Sequence, residues 1–411
     1  MKISLGYMIY ILLAFVSIGS NAETGIVTKS YEHHLNGNLS EFWAQEYTGA
    51  DLLRDELDNF QTKRIDHLVA VVDSAKGHGE WVKSLISNSR AGAALKDISI
   101  TSFGNGHYDD LQSIYESNTK FLYLNQSFQW RMDATDYEFY ELAKLLSGRG
   151  TIIITSAGNN YRNQKLVDDM KRAAARESSV FIVAAMDETG SKDVDSQVAD
   201  EVLVSAPGGH FVRSYINDSL KSVDGAMTSA ATPQVTSAMA AFTEITGYQP
   251  TKREIQSIFK KTSLKLRYDD NFVGKLGYGL LNTYKIGSVA LKISAYCDNK
   301  VKGCAGMALA DDAFFTFPKI NLERIYSSWP ECSPLKYSQS SQLNKIVELN
   351  IDAKAEKIRK LRELRSSLLL NPYQSEGWML LACIYESEGF EINAQYYKNL
   401  SNVYIHESEL E

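Results

Sequence analysis

Proline is scarce in this chain: seven residues in 411. With 23 tyrosines and 44% hydrophobic residues, so low a proline content suits an ordered globular protein better than a disordered one. Long runs of lysine and arginine are missing too, as is any stripe of basic residues alternating with aromatics. The net charge is −7, so the electrostatic footprint of a nucleic-acid binder is absent. After the N-terminal segment no apolar run approaches the ~20 residues a spanning helix needs. Cysteine is sparse as well. All four, Cys297, Cys304, Cys332 and Cys383, lie in the C-terminal third, with no histidine nearby before His406. A zinc-type cluster needs tighter spacing and histidine partners, so no metal is expected there.

What is present begins with a targeting segment. Met1-Lys2 carries one positive side chain, Ile3 to Ile18 is apolar, and Ser20-Asn21-Ala22 offers small residues before Glu23. That pattern predicts a signal peptide over 1–22, with an uncleaved anchor as the alternative. Export to a periplasmic or extracellular compartment would permit disulfides, and Cys297–Cys304, separated by a loop containing Gly303, is the favoured pair. Cys383 falls in a helical pattern that also suits a small buried hydrophobe.

From residue 66 onward, apolar runs alternate with helical patterns. Strands are expected over 67–73, 97–103, 120–127, 151–159, 180–185 and 202–208. Helices are expected over 49–60, 80–89, 109–117, 137–146, 165–175 and 252–261. Alternation of this kind predicts an α/β fold, a doubly wound and mostly parallel sheet. Open sheets of that class carry their sites at the carboxyl ends of strands. Asp73 ends the first run, and Asn159 follows the Thr151–Ser156 run. His78, between Gly77 and Gly79, starts the next helix. Five residues of chain span at most ~17 Å, so Asp73 and His78 can lie side by side. Ser229 stands in Asp224-Gly-Ala-Met-Thr-Ser-Ala-Ala-Thr-Pro233, at the turn into an apolar helix. There, backbone N–H groups and the dipole favour developing negative charge. Each of these residues also has a plain structural reading: a loop starter, an exposed helix-start histidine, an N-cap serine. His33-His34, in a Gly/Asn-rich stretch, reads as loop.

Taken together and in order, these blocks resemble the subtilisin-like serine peptidases. Ala70-Val-Val-Asp73-Ser resembles that family's Asp block and His78-Gly-Glu-Trp-Val82 its His block. Ser156-Ala-Gly-Asn159 resembles the block bearing an oxyanion-hole Asn. Ser205-Ala-Pro-Gly208, Thr228-Ser-Ala-Ala-Thr-Pro233 and Gly277-Tyr-Gly-Leu-Leu-Asn282 resemble three further blocks. The resemblance covers roughly residues 45–290. It implies peptide-bond hydrolysis by a triad of Asp73, His78 and Ser229, with Asn159 in the oxyanion hole and Ser127 and Gly158 lining the substrate cleft. The chain departs from the pattern in several places. The Asp–His connection is short, which removes the neighbourhood of a calcium loop, so neither calcium nor another cofactor is expected. Trp81 replaces a second histidine, Met227 replaces a glycine, and Gln129-Trp130 stands where glycines are usual. Only about forty residues separate the signal cleavage site from the Asp strand, little for a folded inhibitory propeptide.

The expected organisation is thus a lead-in at 23–65, a peptidase domain at 66–290, a Cys-containing linker at 291–340 and a helical region at 341–411. Within the last, the spacing of Asn371-Pro372, Trp378, Tyr385, Gly389 and Ala394 resembles a tetratricopeptide helix pair, and an ordinary docked hairpin fits as well. The leading functional expectation is an exported serine endopeptidase acting on protein or peptide substrates, without nucleic acid and without a membrane span after signal cleavage. The alternative is an inactive subtilisin-fold protein that binds a protein partner through its C-terminal helices.

Overall fold

A computed structural model describes residues 39–408 except 41, 58–59, 61, 74–76, 88–97, 104–107, 128–135, 160–173, 175–178, 210–211, 217–218, 223–226, 267–273, 299–302 and 333–350. The expected signal peptide, His33-His34, most of the 165–175 helix and Gln129-Trp130 lie outside the described residues.

Six parallel strands form the sheet: β1 (Val69–Val72), β2 (Ile100–Phe103), β3 (Tyr123–Gln126), β4 (Ile152–Ser156), β5 (Val180–Met186) and β6 (Val202–Pro207), in the order β2-β1-β3-β4-β5-β6. The apolar sequences of β1, β4, β5 and β6 follow from burial on both faces, whereas the edge strand β2 (Ile-Thr-Ser-Phe) is only partly covered. Alternate residues serve different layers: Val69 and Val71 enter one core, Ala70 and Val72 the other, and Phe181, Val183 and Ala185 oppose Val180, Ile182 and Ala184 in the same way. The order reverses at β1, with β2 on one side and β3 on the other. Ligand crevices open at the carboxyl ends of strands beside such a switch, and Asp73 directly follows β1 there.

Helix α3 (His78–Ile86) follows β1, α4 (Tyr108–Glu116) follows β2, and α5 (Asp136–Gly148) follows β3. A two-stranded antiparallel hairpin, β7 (Arg213–Ile216) with β8 (Ser219–Ser222), leads into α6 (Met227–Thr246). All twenty residues of α6 are buried, because a helix running through the core has no polar face to keep. Two of its threonines bond back along the helix, Thr232 to the Thr228 carbonyl and Thr236 to the Thr232 carbonyl, so their hydroxyls are satisfied without water. Helix α7 (Lys252–Thr262) opens with a capping box between Thr251 and Glu254.

Two stretches differ from expectation. The expected 49–60 helix is α2 (Ala50–Leu57), and a short helix the sequence did not suggest, α1 (Trp43–Thr48), precedes it, the two separated by Gly49 at φ +68°. A Cβ at Gly49 would lie 2.6 Å from both Leu369 Cδ1 and Tyr284 Cβ, so tertiary packing sets the break. The stretch expected as a Cys-containing linker at 291–340 instead continues helix α8 (Thr283–Cys297), then forms α9 (Cys304–Leu309), a 3₁₀ turn at Asp312–Phe315 and α10 (Glu323–Tyr326). Both disulfides lie in the C-terminal third. Cys297–Cys304 is the favoured pair, and Cys332–Cys383 corrects the reading of Cys383 as a free buried hydrophobe.

Helices α11 (Ile351–Leu370), α12 (Ser375–Ser387) and α13 (Glu391–Ser408) close the chain. The last two pair as a hairpin, and their buried faces join the same core as α1, α2 and α6. Tyr47 stacks on Tyr396 at 3.6 Å between centroids. Arg365 grips the Asp51 carboxylate at 2.9 and 3.1 Å and donates to the Glu46 carbonyl. Asn282, at the start of α8, donates to the Leu369 carbonyl at 2.7 Å. The C-terminal region is therefore docked, with the lead-in helices packed between it and the sheet domain.

Candidate active site

The residues singled out in the sequence lie on three strand ends and two helix starts. Asp73 leaves β1 buried, at 2% exposure. His78 opens α3 after Gly77, whose φ of +65° suits glycine. The imidazole Nδ1 stands 2.7 Å from Asp73 Oδ1. A carboxylate only accepts, so Nδ1 carries the hydrogen, and in the neutral ring Nε2 presents its lone pair. The Asp side chain is 1% exposed and the His side chain 15%, a dry orienting bond beneath a ring edge that reaches solvent.

Ser229 lies in the first turn of α6, 7% exposed. Its hydroxyl donates to the backbone carbonyl of Ser127 at 2.6 Å. A hydroxyl has one proton, so in this state the proton faces the β3 edge. Pro233 lacks an N–H, so the Ser229 carbonyl has no in-helix donor four residues on. Ser127 is fully buried and turns its own hydroxyl to Asn125 Oδ1 at 2.7 Å. Its side chain thus points inward, and its carbonyl is the group that faces Ser229.

Asn159 follows β4. Its Oδ1 accepts from the Thr228 N–H at 3.1 Å and from the Thr228 hydroxyl at 2.6 Å. Two donors on Oδ1 identify that atom as oxygen and turn the amide Nδ2 to the other side. The sequence reading did not single out Thr228 for this task, although its place beside Ser229 was the available signal. Gly158, at φ +98°, accepts from the Gln197 N–H at 2.9 Å, and Asn159 pairs with Ser196 in an antiparallel bridge.

The departures from the block pattern also find their places. Trp81 is fully buried, with its ring centroid 6.0 Å from that of His78, and its Nε1–H donates to the Lys221 carbonyl of β8. Met227 turns its side chain into the main core. Gly208 packs against it: a Cβ there would lie 2.3 Å from Ala185 Cβ and 2.5 Å from the Met227 carbonyl oxygen. Among the described residues no group of three or more His, Cys, Asp or Glu could hold a metal ion, and no helix is long and apolar enough to cross a membrane.

A family model described as "Subtilase family" matches residues 66–279. The chain belongs to the subtilase family. It is thereby a serine peptidase by family, with proteins or peptides as the substrate class. Among solved structures, this subtilase is similar to a lanthipeptide protease at 17% identity and a TM-score of 0.45, covering 62% of this chain and 95% of that one. It is also similar to the epidermin leader peptide processing serine protease from Staphylococcus aureus, at 15% identity and 0.46, covering 62% and 82%. A third is the patellamide maturation protease, at 15% and 0.43, covering 56% and 98%. Among curated proteins nothing matches the chain.

Proposed function

We propose that this subtilase is an exported serine endopeptidase with Asp73, His78 and Ser229 as its triad and Asn159 as a side-chain donor to the oxyanion. The buried 2.7 Å bond between His78 Nδ1 and Asp73 carries the reading, because it leaves Nε2 as the base. Turning the Ser229 hydroxyl from the Ser127 carbonyl to Nε2 delivers the proton, and Oγ then attacks the scissile carbonyl. An extended substrate lying on the Ser127 and Gly158 edges offers its own N–H to the Ser127 carbonyl, which frees the serine. Negative charge then develops at the start of α6, beside the Nδ2 of Asn159. His78 returns the proton to the leaving amine as the C–N bond breaks, and a water deprotonated by His78 then hydrolyses the acyl-Ser229 ester, restoring the serine.

Export rests on the signal-like segment 1–22, and the two disulfides suit an oxidising compartment. The division proposed is a lead-in to residue 65, a peptidase domain over 66–290, a Cys-bearing linker to 340 and a helical region to 411. A second reading, a non-cutting subtilisin fold, is favoured by one observation: the Ser229 proton is held by Ser127. Fluorophosphonate labelling separates the two. Labelling of wild type that is lost in Ser229→Ala supports the peptidase. Folded wild-type protein that stays unlabelled would sink that reading.

A further inference from the structure

One charged side chain outside the triad is bound in a way that surface lysines are not. The segment after β5 makes a tight turn, in which Asp187 Oδ1 accepts from the N–H groups of Thr189 and Ser191. The chain then pairs Lys192 back with Met186. From there the Lys192 ammonium reaches three backbone carbonyls of the residues that follow it: Asp193 at 2.5 Å, Val194 at 3.2 Å and Ser196 at 2.9 Å. An ammonium has three protons, and here they gather one turn of main chain around a single positive charge. Without that charge, three carbonyl dipoles would point at one another. The Asp193 carboxylate meanwhile caps the Asp195 N–H at 2.9 Å. Burial lowers the pKa of Lys192, and Asp193, Asp195 and Asp187 oppose that fall.

The far end of this turn is the back wall of the candidate oxyanion site. Ser196, whose carbonyl Lys192 holds, is the bridge partner of Asn159. The next residue, Gln197, donates its N–H to the Gly158 carbonyl. The Ser196 hydroxyl accepts from the Ala185 N–H at 2.9 Å, which ties the turn to β5. Asn159 is thus held by Thr228 through its side chain and by the Lys192 turn through its backbone. We infer that Lys192 is a positioning residue: its ammonium fixes the Asp193–Ser196 turn and, through it, the Gly158–Asn159 edge that faces the Ser229 helix. The kinetic part of this inference rests on the reading of Asn159 as an oxyanion donor.

The near end of the segment has its own anchors, Tyr47 on the Glu188 carbonyl and Asn399 on the Thr189 carbonyl. Lys192→Met, which keeps the stem and removes the charge, should therefore loosen the far end alone. In the full chain, hydrogen exchange at the Gln197 amide should speed up about tenfold or more, an opening stabilised less by about 1.4 kcal/mol. Exchange at the Ser191 amide should stay as in wild type. Unchanged exchange at Gln197 would overturn the inference whatever the enzyme's activity. In kinetics, Lys192→Met should lower kcat about tenfold with little change in KM, less than the about 10²–10³ expected for losing an oxyanion donor. It should cost nothing further in an Asn159→Ala background, since both act through one group. A full additional loss in that background would overturn the positioning role. Failure of wild type to react with fluorophosphonate would instead strike the peptidase reading and leave the exchange result to decide on Lys192.

Discussion

At the residue scale the chemistry turns on where single protons sit. The Asp73 bond selects the His78 tautomer, so Asp73→Asn should reverse it, since a carboxamide donor disfavours hydrogen on Nδ1. Loss of about 10⁴ in kcat is the scale known for that change in a serine protease triad. It should appear in steady-state assays with little change in the far-UV spectrum. Lys285 makes a different kind of prediction. It is 8% exposed in the first turn of α8, and burial, with Lys292 adding repulsion, lowers its pKa from 10.5 to about 8. Between pH 8 and 10.5 the unfolded chain binds more protons than the folded one, so this group makes stability rise with pH in that window. At neutral pH, holding the charge costs of order 3 kcal/mol. Lys285→Met should therefore raise the melting temperature at pH 7, and the gain should shrink towards pH 10.5. An equal gain at both pH values would contradict the assignment.

Elements matter here through the closeness with which they meet. The start of α6 sits on Gly208 with no room for a methyl group, so the small residues Ser205-Ala-Pro-Gly208 set where Ser229 stands. Gly208→Ala should destabilise the protein by about 1–3 kcal/mol through overpacking. It should also lower the rate of fluorophosphonate labelling, because relief of the clash moves the Met227 backbone. Helix α7 offers a control remote from the site. Its capping box has both reciprocal bonds, so Thr251→Ala should cost about 1 kcal/mol in urea unfolding and leave labelling unchanged. The helix α3 shows why an aromatic stands where the block pattern has histidine. Trp81 fills the space under His78 and ties α3 to β8, while Ser84 bonds Ser214 of β7 at 2.6 Å.

For the whole molecule, the C-terminal helices decide the architecture. They close over α1 and α2 around an ion pair between the buried Arg365 and the half-buried Asp51, and the Cys332–Cys383 disulfide joins α12 to the segment after α10. Removing the carboxylate leaves the buried guanidinium charge uncompensated. Asp51→Ala should therefore destabilise the fold by about 1–3 kcal/mol in equilibrium unfolding, with release of the C-terminal helices seen as faster proteolysis after residue 332. A small effect on both readouts would mean the region is merely appended. Cys332→Ser with Cys383→Ser should cost up to about 4 kcal/mol for a closed loop of this length.

The sequence alone determined the sheet and the order of the site. Short apolar runs alternating with helical patterns, an Asp at the end of the first run and a small-residue helix bearing Ser229 are local patterns, and burial on two faces demands the most apolar of them. The Cys297–Cys304 pair was legible because the two cysteines stand only seven positions apart. Only the tertiary structure decided the rest. The break at Gly49, the Cys332–Cys383 bond, the inward turn of Ser127, the grip of Thr228 on Asn159 and the carbonyl cage around Lys192 depend on groups brought together from distant or irregular segments. Such contacts leave no period in the sequence, because their geometry is set by packing rather than by the repeat of a helix or a strand.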